Sequence, residues 1–574
     1  MFQKHKISFF YSAILLFINI YIYSQINLMY DITNSPDFNI YIEYLYHFFG
    51  LNEQTNIDNG SIYYYLVSIV LTFYEGSYQG NNYLIILNNA VHLLNFVISL
   101  IGLLGYYLFF LKKGYKKDSI FISLILLSIF VPFLQIKMTM KPEILAFALI
   151  PYLLINLENY FKNNTFTNLL NSIFLYAILI SLRVSIFVTV SFFLFFYFYQ
   201  NIKNLTFKKL IVLFILTMIT FTPLLYQDYQ VNGYSLFSNS EVRQEFASGD
   251  YDNKASFKTI LNINFIDLGM RPYLDNHADS FIGITLLDTF NDYFHLYWNR
   301  DKSLFNRNQY IKNLDFNNIY INKFFDNFEY YLGLFISLLF YVFLIKSYKD
   351  NKNLKLLIAP LVGMLLLIIN SLGIPYNNFN PLKGDTYKTF YYSFLLTLAF
   401  VQLVIHLKDK VLLNNKICKS LFMIIYITST ILILGFPKYY TNDMSENMSN
   451  QYASSPLCRL NIKLNNNIKP VDCLQKDDNF CSWSNNYRKP EIDQNGNKVY
   501  FKDDKFGSLI LTKDQNVEFV EGFAKCEDLK SDGYEFFISR NRMKNLPLTN
   551  AYFIILGLIN SIQLMLFFKS SKAS

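Results

Sequence analysis

The stretch NNAVHLLNFVISLIGLLGYYLFFLKKGYKKD, Asn88 to Asp118, decides the fold class. Its apolar part belongs to a span read as Tyr83 to Leu111, which holds no Asp, Glu, Lys or Arg. A helix needs roughly 17–25 such residues to cross a bilayer. Four lysines follow at once, at 112, 113, 116 and 117. A span that ends on a lysine cluster is the pattern produced when positive loops stay in the cytoplasm.

The same alternation runs through the chain. Of its 574 residues 53% are hydrophobic, 18% aromatic and only 16% charged, which excludes an ordinary soluble enzyme and predicts a polytopic membrane protein. The net charge of +8 is spread over short loops rather than gathered on one face, so no nucleic acid partner is implied. The reading is mainly α, with about twelve transmembrane helices. They are placed at Ile7–Ile26, Tyr83–Leu111, Ser119–Ile136, Ile144–Leu157, Leu169–Leu182, Val184–Tyr199, Leu210–Tyr226, Tyr331–Ile345, Leu356–Asn370, Thr389–Leu407, Leu421–Phe436 and Thr549–Phe568. The first follows MFQKHK and lacks a small-residue cleavage site, so it reads as an uncleaved anchor.

Lysine-rich loops at 111–118, 201–209, 346–355 and 408–419 all fall on the side of the N-terminus if the spans alternate. This predicts a multi-pass cytoplasmic (inner) membrane protein with both termini cytoplasmic. Long segments then lie outside, at 27–82, 227–327 and 437–548, leaving residues 1–436 as the transmembrane domain and 549–574 as the last helix and tail. The third outer segment holds Cys458, Cys473, Cys481 and Cys526, while Cys418 stays at the cytoplasmic edge. An even set of exported cysteines whose spacing fits no common zinc pattern favours two disulfides, with three pairings open. Runs such as KVYF, SLILT and VEFVEGF nearby predict a small, partly β (α+β) insertion before the last helix.

In the first outer loop, SPDFNIYIEYL and SIYYYLVSIVLTFY are too short to span, and their mix of apolar and aromatic residues predicts interfacial helices. The order of the first span, SPDFNIYIEYL, NGSIYYYLVSI and NNAVHLLNFVISLIGLLGYYLFF resembles the opening of the C-type glycosyltransferases. These polytopic enzymes, which include the protein mannosyltransferase and aminoarabinose transferase superfamily, use lipid-phosphate sugar donors. MKPEILAFAL (140–149) is similar to their Arg/Lys-Pro-Glu turn, YAILISLRVSIFVTV (176–190) to a hairpin carrying an arginine, and NPLKGDTYKTFYYSFLLTLAF (380–400) to a late outer loop with a basic residue. The likeness covers roughly residues 7–407. It departs from the family in having a single Asp for the common Asp-Glu pair, no prolines in the aromatic stretch, and His92 where an arginine is usual.

The resemblance implies sugar transfer from a polyprenyl-phosphate donor to a lipid, glycan or protein acceptor on the extracytoplasmic side. Such chemistry needs a base for the acceptor hydroxyl and cations for the departing phosphate. Asp37 is the expected base, although an Asp after Ser35 and Pro36 also fits a helix N-cap. Lys388, Arg183 and Lys383 are the expected phosphate ligands. Lys388 also reads as a lysine snorkelling from a span end. Lys141, Glu143, Asp385 and Glu43 are expected in support, with Lys141 and Glu143 also able to pair with each other and Glu43 also readable as a solvated interfacial residue. His92 reads as a packing residue. The sequence specifies no cofactor, and a divalent metal stays open. The alternatives are an O-antigen ligase or polymerase, to which Arg271 and His277 would belong, a secondary transporter, which should show repeats that are not seen here, and a membrane scaffold.

Overall fold

Long apolar runs form helices because every backbone group must find its partner inside the segment once water is excluded. The computed structural model describes residues 2–29, 38–50, 55, 59–203, 205–233, 328–351, 354–371, 392–408 and 535–572, with positions between 282 and 289 and short strands between 475 and 525. The described chain is mainly helical. In order come α1 (Phe2–Met29), α2 (Phe38–Phe48), α3 (Ile62–Leu71), β1 (Gly76–Gln79), α4 (Gly80–Lys112), α5 (Lys117–Ser128), α6 (Val131–Met138) and α7 (Glu143–Asn163). Then follow α8 (Phe166–Leu182), α9 (Val184–Tyr197), α10 (Tyr199–Lys203), α11 (Phe207–Asn232), α12 (Phe328–Asp350), α13 (Ala359–Ser371) and α14 (Ser393–His406).

Three of the described helices are long and apolar enough to cross a membrane: Ile86–Lys112 within α4, α7, and α11. A fourth is added if α5 and α6, which meet at a 58° bend, form one broken span. Helices α8, α9 and α14 are apolar but 17, 14 and 14 residues long. Of the twelve expected spans, three, or four with the bent pair, reach this length and composition among the described residues, and the one at 421–436 lies outside them. Helix α11 runs on past the expected end at Tyr226 to Asn232, where Gly233 at φ 81° closes it in the left-handed region. Much of its outer face is apolar and bare, with Phe207, Phe214 and Ile219 well exposed, a pattern compatible with a lipid bilayer.

Helix α7 forms the spine of the bundle, packed most extensively against α4 and α8. A Cβ added at Gly102 of α4 would stand 2.3 Å from the Phe147 ring, so glycine is what lets the two backbones approach. Helix α14 closes the bundle against α5, α6, α7 and α13.

Helices α2 and α3, expected to be interfacial, are buried within the protein. Residues 41–49 are all buried, and Tyr41, Tyr44, Tyr63 and Tyr64 are among the largest fully buried side chains. Glu43, read as solvated, is only 5% exposed. Besides α4, part of their cover comes from far along the chain. The strand β1 pairs antiparallel with a strand just before the last helix, Glu535–Ile538, in the register Gly76↔Ile538 and Gln79↔Glu535. Lys544 N donates to Phe48 O at 2.6 Å, and Tyr65 OH donates to Asn545 Oδ1 at 2.8 Å. The last helix, Pro547–Lys572, then packs on α8 and α11.

Between 475 and 525 the described strands are β2 (Gln475–Asp477), β3 (Phe480–Cys481), β4 (Glu491–Ile492), β5 (Lys498–Val499), β6 (Phe519–Val520) and β7 (Phe523–Lys525). They form a sheet in the order β2-β3-β7-β6 and a β4-β5 pair. KVYF thus contributes β5 and VEFVEGF contributes β6 and β7, whereas SLILT lies outside the described residues. Cys481 stands in β3; Cys458, Cys473 and Cys526 lie outside the described residues. The strand at 535–538, β8, belongs to the first loop rather than to this sheet.

Candidate functional site

Pro142 sets the start of α7: it cannot continue a preceding helix, and its carbonyl accepts from Leu145 N at 2.9 Å and Ala146 N at 3.2 Å. Glu143 therefore occupies the first helical position, where a carboxylate suits the unsatisfied amide end. Forty residues on, Arg183 breaks the apolar run in an extended conformation, φ −169° and ψ 147°, and forms the corner between α8 and α9. The packing of α7 on α8 brings this corner to the N-terminal end of α7. Arg183 Nη1 donates to Glu143 Oε1 at 2.9 Å. Glu143 is fully buried and the Arg183 side chain is 15% exposed. The expected Lys141–Glu143 pair is replaced by this one, for a geometric reason: side chains two apart on either side of a helix start do not face each other. Lys141 is itself buried, with Nζ 5.6 Å from the centre of the Tyr41 ring.

The tyrosines of α2 and α3 roof this pair. Tyr64 stacks on Tyr44 with ring centres 4.3 Å apart and an interplanar angle of 3°, and lies 5.2 Å from Tyr41. Burial, joined by the neighbouring Tyr41 and Tyr44 and by Glu143, holds the Tyr64 phenol well above its ordinary range, while Arg183 pulls the other way. Tyr63 is raised as well, chiefly by burial, and donates to Asn95 Oδ1 at 2.8 Å. Both phenols are therefore neutral donors. Glu143 Oε2 and the Tyr64 hydroxyl have no hydrogen-bond partner among the described residues. A neutral hydroxyl, an open carboxylate oxygen and two cations at one end of the bundle suit a ligand with an anionic head and hydroxyl groups.

A buried anchor fixes the roof in place. Asp228 of α11 accepts from Ser61 N at 2.9 Å and Ser61 Oγ at 2.5 Å, and Asn232 Nδ2 donates to Asn59 O at 3.0 Å. Gly60 N donates to Leu182 O at 3.0 Å, one residue before Arg183. Helix α11, the start of α3 and the Arg183 corner are thus tied together. Behind the roof, His92 contacts Met138 O at 3.3 Å and Asn27 Oδ1 at 3.2 Å, and Asn95 Nδ2 donates to Lys137 O at 3.0 Å and Thr139 O at 2.9 Å. These bonds hold the backbone that leads into Pro142.

Of the expected site residues, Arg183 and Glu143 are brought into contact, with Lys141 two residues before Glu143. Glu43 lies buried on α2. Asp37, Lys383, Asp385, Lys388, Arg271 and His277 lie outside the described residues. Asp228 is not a sequence candidate because residues from 227 onwards fall in an expected outer segment, and Tyr64 is not one because SIYYY reads only as an aromatic stretch. Among the described residues no group of three or more His, Cys, Asp and Glu is placed to hold a metal ion. Comparison with protein-family models, curated proteins and solved structures finds no match.

Proposed function

We propose that the chain is a membrane glycosyltransferase that moves a sugar from a polyprenyl-phosphate donor to an acceptor on the extracytoplasmic side of the inner membrane. The observation that supports this reading best is the buried Arg183–Glu143 pair beneath the first-loop tyrosines. In this reading Asp37 takes the proton from the acceptor hydroxyl as its oxygen bonds to the anomeric carbon. The bond from that carbon to the phosphate oxygen breaks, and polyprenyl phosphate leaves with the electron pair. Arg183, with Lys388 and Lys383, meets the negative charge of the phosphate. Glu143 is a positioning residue that orients the guanidinium. Lys141, Asp385 and Glu43 set the charge around it.

Donor binding by purified full-length protein tests this. A polyprenyl-phosphate sugar should bind wild type, and Arg183→Ala should weaken binding by about 10- to 100-fold, the worth of one charge-assisted contact. Equal affinity in a well-folded Arg183→Ala protein would overturn the assignment.

A further inference from the structure

The opposite end of the bundle holds a cleft of about 340 Å³ that this transfer does not use. Three distant parts of the chain bring lysines to it: Lys113 just after α4, Lys162 in the last turn of α7, and Lys355 just before α13. Among the described residues Glu158 is the only carboxylate in its wall, and it is already engaged. Lys113 Nζ lies 2.5 Å and Lys112 Nζ 3.9 Å from its two oxygens, and Tyr197 OH donates to Oε1 at 2.8 Å. Lys162 and Lys355 have no carboxylate at ion-pair distance among the described residues. Two like charges facing one cleft repel unless an anion lies between them. A second observation points the same way. Gln402 of α14 lines the cleft, is 6% exposed, and its Oε1 has no hydrogen-bond partner among the described residues. A buried acceptor left open calls for a donor such as a hydroxyl.

We propose that this cleft binds a glycerophosphate group, with Lys162 and Lys355 on the phosphate and Gln402 on a glycerol hydroxyl. Basic pockets between membrane helices suit the head groups of anionic lipids, and a free glycerol phosphate offers the same chemistry. The cleft lies at the far end of α7 from the Arg183–Glu143 pair: Glu158 follows Glu143 by about 22 Å of helix. Loss of one site therefore leaves the other intact.

The test is native mass spectrometry of the full-length protein in detergent, titrated separately with phosphatidylglycerol, phosphatidylcholine and glycerol phosphate. Wild type should retain phosphatidylglycerol in preference to phosphatidylcholine. Lys162→Gln with Lys355→Gln should weaken that retention on the order of tenfold or more, and Gln402→Leu by a few fold. Lys355→Gln alone serves as the milder variant, with a loss of about fivefold. Binding of glycerol phosphate with the same lysine dependence would support the cleft and identify a soluble source for its ligand. Undiminished phosphatidylglycerol retention in the double variant, or none of the three bound by wild type, would overturn the proposal.

Discussion

Arg183 at the corner between α8 and α9 donates to Glu143 in the first turn of α7 at 2.9 Å, so two separate turns share one buried ion pair. Removing Glu143 takes a buried carboxylate partner from a guanidinium that is itself mostly buried. Glu143→Ala should therefore cost about 3–5 kcal/mol of stability. Glu143→Gln, which keeps an acceptor, should cost less, about 1–3 kcal/mol. Thermal unfolding in detergent checks this order, and equal melting temperatures for wild type and Glu143→Ala would contradict the pairing.

Gly60 stands where no side chain fits. A Cβ there would lie 1.8 Å from Ser181 O, against backbone that cannot swing away as a flexible side chain would. Gly60→Ala should separate α3 from the Arg183 corner and destabilise the protein by about 2–4 kcal/mol. Asp228→Ala should act similarly, because it removes the acceptor for Ser61 N and Oγ. Limited proteolysis across 50–62 should speed up in both variants, and unchanged cleavage would show that the anchor does not hold the loop.

The pairing of β1 with β8 gives a register that cysteine chemistry can read. Ser77 stands opposite Phe537. Directly opposed Cα atoms in an antiparallel pair are about 4.5–5.5 Å apart, within disulfide reach, whereas diagonal positions are at about 7–8 Å. Ser77→Cys with Phe537→Cys should cross-link under mild oxidation, and Ser77→Cys with Glu535→Cys should not. Peptide mapping distinguishes these bonds from those of the native cysteines, and the reverse result would shift the register.

Cys458, Cys473, Cys481 and Cys526 should account for two disulfides, seen as four extra alkylations after reduction. A membrane-impermeant thiol reagent on intact cells should label these four after reduction and spare Cys418. Labelling of Cys418 alone would reverse the topology.

What was legible in the sequence was whatever the bilayer dictates. Apolar length marked α4, α7 and α11, and a lone arginine within an apolar run marked the corner at Arg183. Residues of three of the four lysine loops, Lys113, Asn201 and Lys355, line one cleft, whereas 409–419 lie outside the described residues. The roof was not legible. Aromatic residues suit a headgroup interface and a packed core equally well, so the composition of SPDFNIYIEYL and SIYYY does not say which one Tyr44 and Tyr64 enter. Helix α3 is enclosed by α2, α4 and α8, and the loop is further tied to β8 and Lys544, more than 450 residues away in the chain. The partner of Glu143 is hidden in the sequence for a related reason. Lys141 is near in sequence, but only the packing of α8 on α7 reveals that Arg183 is near in space.

Sugar transfer by purified full-length protein is the most direct measurement. Wild type would be given a panel of polyprenyl-phosphate hexoses and pentoses, with envelope lipid and glycan fractions as acceptors, beside Asp37→Asn and Arg183→Ala of matched monodispersity. The account predicts transfer from at least one donor. Asp37→Asn should keep donor affinity while its turnover falls by about 10²- to 10⁴-fold, the loss typical of removing a general base, and Arg183→Ala should lose affinity and rate together. Wild-type turnover in well-folded Asp37→Asn would contradict the assigned base and with it the reading of the chain as this kind of transferase.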